Sequence, residues 1–177
     1  NVVNMRKFLH HSAYIALLSL IMHQPVVIHG QVCDHMISYW PLEKSESGTF
    51  KDNIGGHDAV AVISVPSTEI GKVGKAQSFN GTSDFLTVSG HQDFNWAGDH
   101  SFSIEMWVRL DSVSTTYNMV FIGRDADNSP VHWWVGAEKN TGRAMFVLIG
   151  SDGNISEIIG EVMELGEWYH LVALRDG

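Results

Sequence analysis

The decapeptide from Ser101 to Leu110 constrains the fold more than any other stretch of the chain. Phe102, Ile104, Met106, Val108 and Leu110 alternate with Ser103, Glu105, Trp107 and Arg109. Successive side chains of a strand point to opposite faces, so this two-residue period gives one wholly apolar face and one mixed face. Such a strand is half buried in an antiparallel sheet, and it needs a second layer to cover its apolar side.

The rest of the chain supplies that layer. Apolar runs follow at residues 119–123, 132–136, 144–149, 155–159 and 168–174, and turn-forming groups such as Asp125-Ala126-Asp127-Asn128 and Ser151-Asp152-Gly153-Asn154 separate them. Earlier runs at 36–42, 76–79 and 85–88 also read as strands, with a Gly-rich loop over 52–56. Beyond residue 36 no segment keeps a 3.6-residue apolar period long enough for a substantial helix. With 44% hydrophobic residues and six tryptophans, the chain has ample material for one core.

Residues 1–30 have a different character. Met5-Arg6-Lys7 is a basic start, Ala13 to Met22 is an apolar run, and Pro25 and Gly30 end it. This layout predicts a secretory signal with a few residues upstream of it, cleaved near Gly30, and a secreted or cell-surface product. The run is short of the roughly 20 residues that a membrane-spanning helix needs, so no stable membrane insertion is expected after cleavage. Cys33 is the only cysteine, which rules out a disulfide within the chain. The net charge of −9 becomes −11 without Arg6 and Lys7. A surface that acidic repels nucleic-acid backbones and anionic lipid headgroups.

Several motifs, taken in order, resemble a known family. They are Tyr39-Trp40-Pro41-Leu42, Asp52-Asn53-Ile54-Gly55-Gly56, Gly74 through Gly81 and Asp84 through Val88. Ser101 through Val108 and Gly166 through Ala173, followed by Arg175-Asp176-Gly177, complete the series. Together they resemble the laminin G-like jelly roll of the concanavalin A-like lectin and glucanase superfamily. The resemblance implies an all-β, two-sheet antiparallel jelly-roll sandwich over 31–177, with Trp107 and Trp168 available to fill the space between sheets. The family pattern continues past the residues matching Arg175-Asp176-Gly177, so the expected sandwich lacks its C-terminal strands.

The superfamily includes glycoside hydrolases, which place two carboxylates on either side of the scissile bond. On a strand, carboxylates two residues apart share a face, yet Glu105 has Ser103 and Trp107 at those positions. Glu157 with Glu161, and Glu161 with Glu164, have unsuitable spacings. Glu105 and His170 therefore read as strand residues, and no catalytic residues are assigned. No Gly-x-Ser-x-Gly elbow, phosphate loop or His-Glu-x-x-His motif is present.

Recognition is the expected role, with a glycan as the first choice of partner and an extracellular protein as the second. Candidate ligand contacts are Asp125, Asp127 and Asn128 on a polar loop, with Trp133 or Trp134 as an aromatic platform. Alternation predicts that only one of the two tryptophans faces outward. A calcium site is expected where the Asp52 loop meets Asn80, Gly81 and Asp84, because these residues offer hard oxygen donors beside flexible backbone. Ordinary turn formation by Asx side chains is the competing reading.

Overall fold

A computed structural model describes residues 2–7, 35–96, 99–124 and 131–177. It is all-β apart from one short 3₁₀ turn, and every strand ladder is antiparallel. The strands are β1 (Val2–Lys7), β2 (Thr49–Phe50), β3 (Ala59–Ala61), β4 (Ser67–Ile70), β5 (Lys75–Ser78), β6 (Leu86–Val88) and β7 (Phe102–Arg109). They continue with β8 (Met119–Arg124), β9 (Val131–Ala137), β10 (Arg143–Gly150), β11 (Ile155–Val162) and β12 (Trp168–Asp176). The 3₁₀ turn, Gln92–Phe94, precedes β7.

Two sheets make the sandwich. One has the order β1-β12-β7 and the other β11-β10-β9-β8. Between them lies a core of Leu110, Trp133, Val135, Ala137, Ala144, Phe146, Met163, Tyr169, Leu171 and Ala173. Phe102, Ile104, Met106 and Val108 pack against it from β7, so the apolar half of the alternating decapeptide faces inward as its period requires. Smaller sheets, β2-β3-β6 and β4-β5, are built from the preceding third of the chain.

The turns follow from local chemistry. Between β10 and β11, Gly153 adopts φ 77° and donates its N–H to the Gly150 carbonyl, while the Asp152 carboxylate accepts the Asn154 N–H. Glycine adopts that left-handed conformation without the backbone strain a side chain would add.

Two expectations need correction. Residues 36–42 form no strand; this segment is held by other means, with the Tyr39 N–H donated to Asp52 and the Tyr39 carbonyl accepting from Asn53. Trp107 and Trp168 do not fill the core, because the inner face of β12 belongs to Tyr169, Leu171 and Ala173. Their ring positions are set by strand alternation, which turns both tryptophans to the outer face. Val2–Lys7, within the expected leader, runs antiparallel beside β12.

Candidate functional site

The outer face of the β7-β12 pair carries a polar and aromatic surface. Register puts His170 opposite Trp107, Trp168 opposite Arg109 and Val172 opposite Glu105. Cross-strand neighbours on one face touch, and here the Trp107 and His170 rings stack with centroids 4.9 Å apart and planes 26° apart. Trp107 remains 43% exposed. The Glu105 carboxylate lies 3.7 Å from His170 Nε2, within ion-pair range when the imidazole is protonated.

A hairpin borders this platform. Glu69 on β4 meets the Arg109 guanidinium at 3.2 Å, and Lys72, in the β4–β5 turn, places its ammonium 5.7 Å from the Trp107 centroid. Arg109 also binds both oxygens of Asp111 and stacks over Trp168 at 5.3 Å. These carboxylates raise the guanidinium's pKa, Asp111 most strongly. The result is an exposed aromatic ring ringed by paired charges, which suits contact with a ligand that offers both C–H surface and hydroxyls.

The expected ligand residues fare differently. Asp125, Asp127 and Asn128 lie outside the described residues. Trp133 cannot serve as a platform: it is 4% exposed, part of the core, and stacked 5.0 Å from Trp96. Trp134, its neighbour, points the other way. Half-buried, it lies beside Gly123 and over Gly136, where an added Cβ would crowd its atoms.

The residues expected to hold calcium do not fit a calcium cage. Asp52 is buried and each of its oxygens already faces donors: Tyr39 and Ile54 N–H groups at 2.8 and 3.0 Å on Oδ1, Gly55 and His57 N–H groups at 3.1 and 3.0 Å on Oδ2. Burial alone would raise its pKa, but these backbone bonds and the Ser38 hydroxyl bring it down to about 2. Asp84 accepts from the Ser64 hydroxyl and the Asn80 N–H, partners that Asp52 does not share. Asn80 Oδ1 takes the N–H groups of Thr82, Ser83 and Asp84, and Gly81 with φ 71° completes an Asx-type turn. These oxygens serve the donors of their own two turns.

One constellation escapes sequence reasoning. His57, His91 and Asp93 bring three ligand-type atoms within 4.8 Å of one another. His57 comes from the Asp52 loop, whereas His91 and Asp93 flank the start of the 3₁₀ turn, where the His91 side chain accepts the Asp93 N–H. The sequence signal is only His91-x-Asp93, since His57 is far away along the chain.

Among the described residues no helix is long and apolar enough to cross a membrane. No curated protein and no solved structure gives a significant match to the chain. A laminin G family model, described as the concanavalin A-like lectin/glucanases superfamily, matches residues 80–177. That stretch contains both central strands of the platform and nearly the whole core, so the chain belongs to the concanavalin A-like lectin/glucanases superfamily as a laminin G-like domain.

Proposed function

We propose that this domain is a non-catalytic, extracellular recognition module that binds a neutral glycan on the outer face of β7 and β12. The observation that carries the reading is Trp107, exposed and stacked flat on His170 beside the Glu105 carboxylate. An aromatic face offers a dry surface for the C–H face of a sugar ring, and a neighbouring carboxylate accepts bonds from its hydroxyls. The acidic chain disfavours polyanionic glycans, hence a neutral one.

Membership of the superfamily is compatible with lectin and glucanase alike, and the binding reading is supported by where the carboxylates lie. Glu105 stands in one sheet, and Glu157 and Glu161 are on β11 in the other. A glycan-array screen and a polysaccharide hydrolysis assay on the pure protein test the proposal together. Glycan binding that Trp107→Ala weakens at least tenfold is expected. Reducing ends released by the wild type would refute the non-catalytic reading.

A second reading, protein binding, has an observation of its own. Val60, Val62, Ile63, Val65, Ile70 and Val73 are all exposed on the β3–β5 region. Concentrated aliphatic exposure of this kind is typical of protein contact surfaces. A glycan screen that stays blank, together with an extracellular partner lost on Ile70→Asp, would select this reading over the first.

A further inference from the structure

The surroundings of His57 are more ordered than a surface histidine requires. Its side chain is 8% exposed. The ring packs edge-on against Phe94 at 4.8 Å and tilts against the His91 ring at the same distance. Its carbonyl accepts the Trp40 indole N–H at 2.7 Å, and Trp40 in turn stacks with Phe94. A side chain on Gly55 would collide with the Ile37 carbonyl and with the imidazole itself, so residue 55 has to be glycine for the ring to sit here.

Nδ1 of this ring lies 2.7 Å from the Ser38 hydroxyl and 3.3 Å from Asp52 Oδ2. The Ser38 hydroxyl oxygen and the Asp52 carboxylate together offer that nitrogen acceptors. With Nδ1 donating to either oxygen, Nε2 carries the lone pair. Nε2 is 3.3 Å from Asp93 Oδ2, and the same oxygen is 3.2 Å from His91 Nδ1. His91 Nδ1 accepts the Asp93 N–H, so it too is in its acceptor form. His57 Nε2, His91 Nδ1 and an Asp93 oxygen thus lie together, and a metal ion would take the His91 lone pair in place of the long 3.3 Å bond from the Asp93 N–H.

We propose that His57, His91 and Asp93 form a zinc-binding site, with Ser38 and Asp52 holding the His57 ring in the tautomer that offers Nε2 to the metal. Two imidazoles and a carboxylate are a borderline donor set suited to zinc and poorly suited to calcium. Zinc–ligand distances of about 2.0–2.2 Å in a tetrahedron put ligand atoms roughly 3.3 Å apart. Two of the three separations here already have that length, and the exposed His91 ring can turn to close the third. The outer support is of the kind metal-bound histidines use, their second ring nitrogen donating to a polar or acidic partner. Phe94 and Trp40 form the dry wall around it. The fourth position is left for water or for a donor atom of a bound partner. The metal would tie the Asp52 loop to the 3₁₀ turn that leads into β7.

The test uses the full chain after treatment with EDTA. Competition against a chromophoric zinc chelator should give one site per chain, and cobalt(II) in its place should show the visible absorption of a four-coordinate ion. The Tm should be higher in zinc than in EDTA. His91 and Asp93 are exposed, so His91→Ala and Asp93→Asn should keep the wild-type circular dichroism while weakening zinc at least tenfold. Ser38→Ala should cost about tenfold through the ring it positions. His100→Ala, outside the cluster, should change nothing. Equal Tm values in zinc and EDTA, or an affinity that His91→Ala and Asp93→Asn leave intact, would overturn the proposal.

Discussion

Asp52→Asn isolates the carboxylate that organises the loop under His57, since it keeps the shape and removes one acceptor. Asparagine retains a single oxygen, enough for the Tyr39 and Ile54 N–H groups, and its amide then points N–H at the donors of Gly55 and His57. Two charge-assisted bonds at roughly 1.5–3 kcal/mol each are lost, a gross cost of about 3–6 kcal/mol. Removing a buried charge returns part of that cost. A second route to the net value starts from the carboxyl's pKa, held at about 2 against 3.8. At 1.36 kcal/mol per pKa unit, the surroundings favour the ionised form by roughly 2–3 kcal/mol. Both routes meet near 3 kcal/mol, equivalent to a Tm lowered by roughly 6–12 °C for a chain of this size. Urea denaturation of both proteins at pH 7 in EDTA measures the difference without a metal contribution. A cost below about 1 kcal/mol, with the native fold retained, would refute the view that Asp52 anchors this loop. Asp52→Ala, which strands all four N–H groups, should cost more than Asp52→Asn.

Other consequences are open to direct measurement. Phe146→Ala, at a fully buried site, should cost about 3–5 kcal/mol in chemical denaturation. Trp107→Ala should weaken ligand binding at least tenfold yet shift stability by less than about 1 kcal/mol, because the ring lies outside the core. Thermal melts in saturating calcium and in chelator should coincide, since the oxygens of Asp52, Asn80 and Asp84 are engaged by N–H and O–H donors; a calcium-dependent rise lost in Asp84→Ala would reinstate that site. Expression with a C-terminal tag should yield a secreted form whose N-terminus, by sequencing, begins near Gln31; an uncleaved cytoplasmic product would contradict export.

The strands of the matched region were legible because each buries one face. The Ser101 to Leu110 alternation became β7, and the runs at 119–123, 132–136, 144–149, 155–159 and 168–174 became β8 to β12 within a few residues. The segment at 36–42 misled for a physical reason: Tyr39 and Trp40 look like strand residues, but their backbone and ring are tied to Asp52 and His57 and not to a ladder. Short strands β2, β3 and β4 carry too few residues to show a period. Alternation announced that Trp133 and Trp134 face opposite ways, while which of them is buried depends on the second sheet. The Trp107 and His170 stack depends on the register between β7 and β12, and the His57, His91 and Asp93 cluster on loop closure. Neither leaves a local mark.

The pairing of β7 with β12 also dictates when the molecule can fold. Phe102 meets Arg175 and Arg109 meets Trp168, so β8 to β11 must all be made before the first sheet can close. The β8 to β11 meander, by contrast, pairs only neighbours in sequence and can assemble as soon as it emerges. Loop-closure entropy delays the distant pairing, and a topology rich in such contacts folds slowly. During that interval β7 waits with Phe102, Ile104, Met106 and Val108 uncovered, a row of aliphatic and aromatic side chains on an unpaired strand. Holding this strand apart from other chains is the burden that a cell's chaperones would carry for this protein.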